Sequence, residues 1–139
     1  MISYSPWVTL GDMHKMPWPD GSFDVVLTGW TLAYSKDARV AAKEIVRVLR
    51  PGGLVAAAAG YTAKSDEEIA KDLGYMPCTG THFRSVDGLL DRFGGAVDDV
   101  YFRHGIVPGR NSEDASLLAI FSVKKDQPVV PTPGMDGIA

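Results

Sequence analysis

The sequence has little of what marks a membrane or secreted protein. It contains one cysteine, Cys78, so an intrachain disulfide and a cysteine zinc cage are both excluded. Its longest apolar run covers residues 53–60, far short of the ~18 residues that span a bilayer. Residues 1–7 have neither the basic start nor the apolar stretch of a secretory signal. We therefore expect a cytoplasmic protein without a membrane partner.

Basic charge is also scarce. The chain has 14 lysines and arginines against 17 aspartates and glutamates, a net charge of −3 at pH 7. A general nucleic-acid binder carries a basic face instead, so we expect no nucleic-acid partner. The three histidines, His14, His82 and His104, lack metal-ligand spacing, and we expect no metal site.

The residues that are present describe one α/β domain. A chain of 139 residues, 45% of them hydrophobic, is long enough to bury a core. Apolar runs predict strands at 8–10, 23–28, 54–59, 97–104 and 116–123, and periodicity with caps predicts helices over 37–49, 65–73 and 85–93. Alternating strands and helices at the front indicate parallel strands, whereas the turn-rich segment 108–114 indicates an antiparallel hairpin at the back. We assign the domain to residues 1–125 and a flexible, proline- and glycine-rich tail to 126–139.

Three segments in the first half of the domain stand in a distinctive order. They are Gly11-Asp12-Met13, then Met16-Pro17-Trp18-Pro19-Asp20-Gly21-Ser22-Phe23-Asp24-Val25-Val26, and, after Asp37, Glu44-Ile45-Val46-Arg47-Val48-Leu49-Arg50-Pro51-Gly52-Gly53. Together they resemble the C-terminal portion of a class I S-adenosylmethionine-dependent methyltransferase domain of type 11. This resemblance runs through about a third of the chain. It implies a Rossmann-like methyltransferase sheet closed by the antiparallel hairpin, with S-adenosylmethionine as cofactor and a small molecule as methyl acceptor.

The resemblance also implies which residues hold the cofactor. Asp12 would accept a hydrogen bond from the adenine amino group, with the Met13 backbone beside the ring, since ionised aspartate is purely an acceptor. Thr28, Gly29 and Trp30 would face the methionine part and the substrate, and the indole could contact the sulfonium by a cation–π interaction. Two simpler interpretations stay open: Asp12 caps its own turn, and Trp30 is a core residue at a strand–helix junction.

The catalytic residue is not identified by the sequence. Relatives often carry a histidine pair just before the acid that opens the next helix, and this chain has Ala33-Tyr34-Ser35-Lys36-Asp37 there. Tyr34, as a hydrogen-bond donor to substrate, and His82, as a general base, are the candidates. A half-buried surface tyrosine and a solvated loop histidine are the simpler interpretations.

Two parts of the family's cofactor site are missing from the sequence. No Gly-x-Gly turn occurs, and no earlier strand supplies the acid that holds the ribose, so we expect the chain to lack the first βαβα unit of roughly sixty residues. That loss would expose apolar strand edges. The two remaining strands could pair directly, a second copy in a homodimer or a companion chain could supply the missing strands, or the chain could be a fragment. The function is then methyl transfer completed by a partner or, alternatively, a non-catalytic binding or assembly module.

Overall fold

The computed structural model describes residues 5–73, 82–106 and 115–124. In this part of the chain the elements follow in the order β1 (Phe23–Gly29), α1 (Ala38–Val48), β2 (Leu49–Gly60), α2 (Asp66–Leu73), α3 (Val86–Asp91), β3 (Val97–His104) and β4 (Ser116–Val123). Short 3-10 helices at Thr31–Tyr34 and Gly94–Ala96 connect them. Cys78, most of the predicted loop at 76–83, the predicted turn 108–114 and the predicted tail 126–139 lie outside the described residues.

The strands form one open sheet in the order β1-β2-β4-β3. β1 and β2 are parallel, with Val26 opposite Val55 and Thr28 opposite Ala57. β4 is antiparallel to both of its neighbours, β2 and β3. The predicted parallel front and antiparallel back are confirmed, and β3 and β4 have the predicted bounds.

Helix α1 covers one face of this sheet. Asp37 begins the helix by accepting hydrogen bonds from the backbone N–H groups of Arg39 and Val40, at 3.0 and 3.2 Å. Small and apolar residues at helical spacing then form its buried stripe: Ala38, Ala41, Ala42, Ile45 and Val48. Apart from Val48, this stripe belongs to the same core cluster as alternate residues of β2 and β4, namely Val55, Ala57, Ala59, Leu117, Ala119 and Phe121. The alanines let helix and strand backbones approach closely.

Helix α3 adds to the cover on the same face. The Ser85 hydroxyl caps it by accepting from the Gly88 N–H at 3.0 Å. Leu89 is fully buried, and just past the helix the ring of Phe93 meets that of Phe121 edge-on at 4.9 Å. The aromatic pair ties α3 to the middle of β4.

The opposite face of the sheet is covered by none of the described helices. Val25 and Leu27 of β1 are 50% and 77% exposed there, and Phe102 and Ile120 on the other strands are 48% and 37% exposed. We call these four side chains the open face. A shallow groove of about 230 Å³ runs across it and is bounded almost wholly by apolar atoms. Apolar side chains exposed together in this way mark an interaction surface.

The strand predicted at 8–10 is wrong. These residues form no strand, and Val8 and Leu10 are 60% and 70% exposed. A strand needs a neighbour for its backbone hydrogen bonds, and within the described residues β1 pairs only with β2. Direct pairing of the two predicted strands, one of the three solutions above, is therefore contradicted.

The predicted start of the central strand is also wrong. β2 begins at Leu49, directly after α1, so Pro51-Gly52-Gly53 lies inside the strand instead of before it. Gly52 has a φ of 77°, and a Cβ on Gly53 would lie 2.8 Å from the Arg50 carbonyl oxygen. Glycine suits both the positive φ at Gly52 and the close approach at Gly53, so these two residues have a structural role in the strand.

None of the described helices has the length and apolar character needed to cross a membrane.

Candidate cofactor site

Strands β1 and β2 are parallel, and the candidate site lies where β1 ends. The Trp30 N–H donates to the Ala58 carbonyl at 3.0 Å, so the chain stays paired to β2 one residue beyond the strand. Thr28 is 6% exposed, and its Oγ1 has no hydrogen-bond partner among the described residues. Open space surrounds the position where a Cβ of Gly29 would stand. Successive side chains of a strand point to opposite faces, so this buried hydroxyl lies on the covered side of the sheet and the open space at Gly29 lies on the other side.

Trp30 is held in a strained conformation at this edge. Its φ of 56° and ψ of −3° lie in the left-handed region, which costs a bulky residue about 1–3 kcal/mol. The indole is 51% exposed and lies next to Gly60 at the end of β2. Trp30 is therefore not a core tryptophan. Its strained backbone conformation leaves the indole ring partly exposed beside the strand ends.

Asp12 lies on a turn ahead of the proline-rich segment. Its Oδ1 accepts from the His14 backbone N–H at 2.8 Å and lies 2.6 Å from His14 Nδ1. These two bonds from His14 hold the pKa of the Asp12 carboxyl below its usual range. The side chain is about half exposed, and Oδ2 makes no hydrogen bond to a described residue. Asp12 thus caps its own turn with one oxygen, and the other oxygen has no hydrogen-bond partner among the described residues.

A second contact joins this turn to the start of α1. His14 Nε2 lies 2.7 Å from Ser35 Oγ, and Ser35 is fully buried. The Ser35 hydroxyl also accepts from the Asp37 N–H at 3.1 Å. The structure therefore brings the predicted adenine-binding turn next to the segment that follows Trp30. Sequence patterns predict no role for His14 or Ser35, because a contact between residues 21 positions apart leaves no local pattern.

Arg47 of α1 holds the rest of the proline-rich segment. Its guanidinium donates to Asp20 Oδ1 at 2.7 Å and to the backbone carbonyls of Trp18 and Met16 at 2.9 and 3.1 Å. It also makes a forked pair with Glu44, at 2.8 and 2.9 Å, and Glu44 Oε2 accepts from the Met16 N–H at 2.8 Å. The hydrogen bonds from Arg47 lower the pKa of Glu44, and Glu44 in turn raises the pKa of Arg47. We call this arrangement the Arg47 clasp.

The two catalytic candidates lie in different surroundings. Tyr34 is 71% exposed and ends the 3-10 helix that follows Trp30. His82 is partly buried, and its Nε2 has no hydrogen-bond partner in the described parts of the chain. It precedes Phe83, which forms an isolated bridge with Tyr61 just past β2. Both catalytic roles stay predictions. Among the described residues, no group of three or more His, Cys, Asp or Glu side chains could hold a metal ion.

The amino-acid sequence of this chain is similar to those of known methyltransferases. Residues 3–57 match the family model described as "Methyltransferase domain". Over 45 residues the chain is 49% identical to a demethylmenaquinone methyltransferase of Staphylococcus aureus (strain JH9), covering 32% of this chain and 19% of that enzyme. The resemblance to the methyltransferase domain is confirmed. The chain nevertheless spans only a small part of that relative's length.

Solved methyltransferases share the fold. An S-adenosylmethionine-dependent methyltransferase from Thermotoga maritima superposes with a TM-score of 0.59 at 20% identity, over 82% of this chain and 62% of its own. A Haloferax volcanii structure, a complex of the Trm112 methyltransferase activator with a putative methyltransferase, gives a TM-score of 0.61 at 18% identity, over 82% and 59%. The described sheet is therefore the Rossmann-like sheet of methyltransferase domains, including the antiparallel β3–β4 pair.

Some of the described residues suit part of S-adenosylmethionine. The free Oδ2 of Asp12 suits the amino group of adenine, because an ionised carboxylate only accepts. The open space at Gly29 suits a ligand lying close to the backbone. The Gly-x-Gly turn by which the family contacts the rest of the cofactor has no counterpart here, because this sequence contains no Gly-x-Gly.

We expect the Arg47 clasp to make stability depend on acid through Glu44. The folded chain holds the Glu44 pKa below its ordinary 4.5, so the carboxylate stabilises the fold above that pH, and the contribution is lost as pH falls through the folded value. Glu44→Gln should lower the unfolding free energy by about 1–2 kcal/mol near neutral pH. The difference from the wild type should shrink below about pH 4.

Urea unfolding at both pH values measures this. Glu67→Gln, at an exposed glutamate of α2, is the matched control and should change little at either pH. An equal loss for Glu44→Gln at neutral and acid pH would show that its charge does not matter.

Proposed function

We propose that the protein is an S-adenosylmethionine-dependent methyltransferase acting on a small molecule, whose cofactor site is completed by a companion chain. The observation that carries this proposal is the edge at Thr28–Trp30, where open space at Gly29 adjoins a strained, half-exposed indole. The match of residues 3–57 to the methyltransferase domain supports it. The cytoplasmic location remains part of the proposal.

Each cofactor residue has a role that its surroundings allow. Asp12 accepts from the adenine amino group with Oδ2, and the Met13 backbone lies along the ring. Gly29 permits close approach, and Trp30 offers a ring face to a cation. The bound cofactor supplies a methyl group on a positively charged sulfur.

Catalysis in this proposal comes from the chain's positioning of two reactants and exclusion of water. The acceptor's oxygen, nitrogen or carbon must reach the methyl carbon in line, so orientation by the strand-end residues carries most of the effect. Tyr34 is exposed and close in sequence to Trp30, which suits a contact with the acceptor. His82 is the candidate for taking up the acceptor's proton, since its Nε2 lacks a partner among the described residues.

The open face and the edge of β1 that pairs with no described strand support the companion chain. Large apolar side chains at 37–77% exposure gain stability when another polypeptide covers them, and an unpaired strand edge can accept a further strand. A second copy of this chain would not bring a Gly-x-Gly turn, because the sequence contains none. We therefore favour a companion of different sequence over a homodimer. The Haloferax volcanii methyltransferase whose structure is similar is itself bound to an activator protein.

A non-catalytic module is the second candidate. The observation favouring it is the open face, which can dock a partner whether or not a cofactor binds. The two candidates differ in one measurable property, because only the methyltransferase should bind S-adenosylhomocysteine.

We expect Asp12→Ala to weaken the binding of S-adenosylhomocysteine, since it removes a charge-assisted hydrogen bond. Titration calorimetry on the chain, alone and with its co-purified companion, should show a loss of about tenfold or more. Asp24→Ala is the matched control, because Asp24 lies at the other end of β1 and pairs with Arg50. No binding to the wild type in either form would remove the methyltransferase proposal and leave the module.

We expect Leu27→Lys to separate the chain from its companion, because docking would bury a charge in an apolar contact. Leu27 is 77% exposed, so the folded chain alone should tolerate the lysine. Val40→Lys is the control: it adds the same charge to a partly exposed valine of α1, on the covered side of the sheet.

Light scattering after size exclusion gives the mass of each complex formed in the source cells. The wild type and Val40→Lys should exceed 15.0 kDa by the mass of a companion that carries a Gly-x-Gly turn, and Leu27→Lys should return to 15.0 kDa. A mass equal to two copies of this chain would instead show a homodimer and contradict a companion of different sequence. A monomer that binds S-adenosylhomocysteine unaided, or a complex insensitive to Leu27→Lys, would contradict the proposed surface.

A further inference from the structure

Three side chains, Asp12, His14 and Ser35, form a continuous hydrogen-bonded row. His14 Nδ1 lies 2.6 Å from Asp12 Oδ1, and His14 Nε2 lies 2.7 Å from Ser35 Oγ. The ring is mostly buried, at 13% side-chain exposure, whereas the Asp12 side chain is 55% exposed. The row therefore runs from the core to the surface, and its carboxylate end is the most exposed part.

The row cannot act as a nucleophilic triad, because its serine is fully buried and also accepts from the Asp37 N–H. Ser35 instead anchors the imidazole. In the ring tautomer whose Nδ1 carries the proton, His14 donates to Asp12 Oδ1 and Nε2 can accept from the Ser35 hydroxyl. Both protons then have an acceptor, and the ring orientation is fixed from both sides.

The consequence for Asp12 is a carboxylate with one oxygen engaged and one free. Oδ1 receives the His14 backbone N–H and the ring N–H, while Oδ2 makes no hydrogen bond to a described residue. An exposed aspartate ordinarily rotates among several conformers. Here two bonds to the same oxygen hold the carboxylate in one orientation and keep it ionised.

We propose that His14 is a positioning residue that holds Asp12 as a fixed, pure acceptor and thereby makes the site select a purine with a 6-amino group over one with a 6-oxo group. The inference rests on the proposed function, because it assigns Asp12 to the adenine end of the cofactor. A 6-amino group donates to Oδ2, whereas a 6-oxo group places a second acceptor against it. A site that is built to hydrogen-bond one group rejects the analogue that leaves its polar atoms unpaired.

Titration calorimetry with S-adenosylhomocysteine and its 6-oxo analogue, S-inosylhomocysteine, tests the proposal. The protein is the chain with its companion where one co-purifies. We expect the wild type to prefer the 6-amino ligand by about tenfold or more, the range of one charge-assisted hydrogen bond. A merely structural histidine would lower the affinity for both ligands together and leave their ratio unchanged.

Two replacements of His14 form a matched pair. In His14→Asn the amide nitrogen takes the place of Nδ1 and can still donate to Asp12, whereas in His14→Gln it takes the place of Nε2 and cannot. We expect His14→Asn to keep most of the preference and His14→Gln to lose most of it. Ser35→Ala, which removes the anchor and leaves the ring, should fall between them and decides the matter if His14→Gln does not fold.

The outcomes separate the inference from the function on which it rests. A wild type that binds neither ligand removes both. A wild type that prefers the 6-amino ligand, with the same ratio in His14→Gln or Ser35→Ala, leaves the proposed function intact and overturns the role of His14.

Discussion

The Arg47 guanidinium is the interaction on which the candidate site depends. Residues 11–22 contain two prolines and form no strand or helix, so the sheet's own hydrogen bonds do not hold them. Arg47 ties their backbone and Asp20 to α1, while Glu44 receives the Met16 N–H. Helix α1 is packed into the core through its alanine stripe, so the hydrogen bonds from Arg47 and Glu44 tie the segment to the core. The Asp12 turn lies at the start of this segment, next to Met16, whose backbone Arg47 and Glu44 hold.

The second constraint is a sheet covered on one side. Alternate residues of β2 and β4 pack against α1 and α3, and the residues between them face the open side. The groove on that side reaches Thr28 and Gly29, so the open face and the candidate site are continuous. A polypeptide that covered the open face would therefore also border the strand ends. In the proposed function, completing the core and completing the cofactor site are one event.

Local signals in the sequence predicted the elements whose causes are local. Asp37 and the apolar spacing after it indicated α1, and the runs at 97–104 and 116–123 became β3 and β4 with those bounds. Residues 8–10 have the composition of a strand but are not part of the described sheet, and no local pattern reports whether a neighbouring strand is present. The start of β2 depended on packing at Gly53, where a Cβ would meet the Arg50 carbonyl.

In the candidate site, too, local sequence patterns predicted only part of what the structure shows. The resemblance pointed to Asp12 and to Thr28–Trp30, yet the left-handed backbone of Trp30 and the His14–Ser35 contact arise only when distant segments meet.

An amide NMR titration with S-adenosylhomocysteine, with the companion present where one co-purifies, tests the whole account most directly. We expect the largest shifts at Asp12–His14 and at Thr28–Trp30. Saturating ligand that leaves both segments unmoved would contradict the assignment of this edge as a cofactor site.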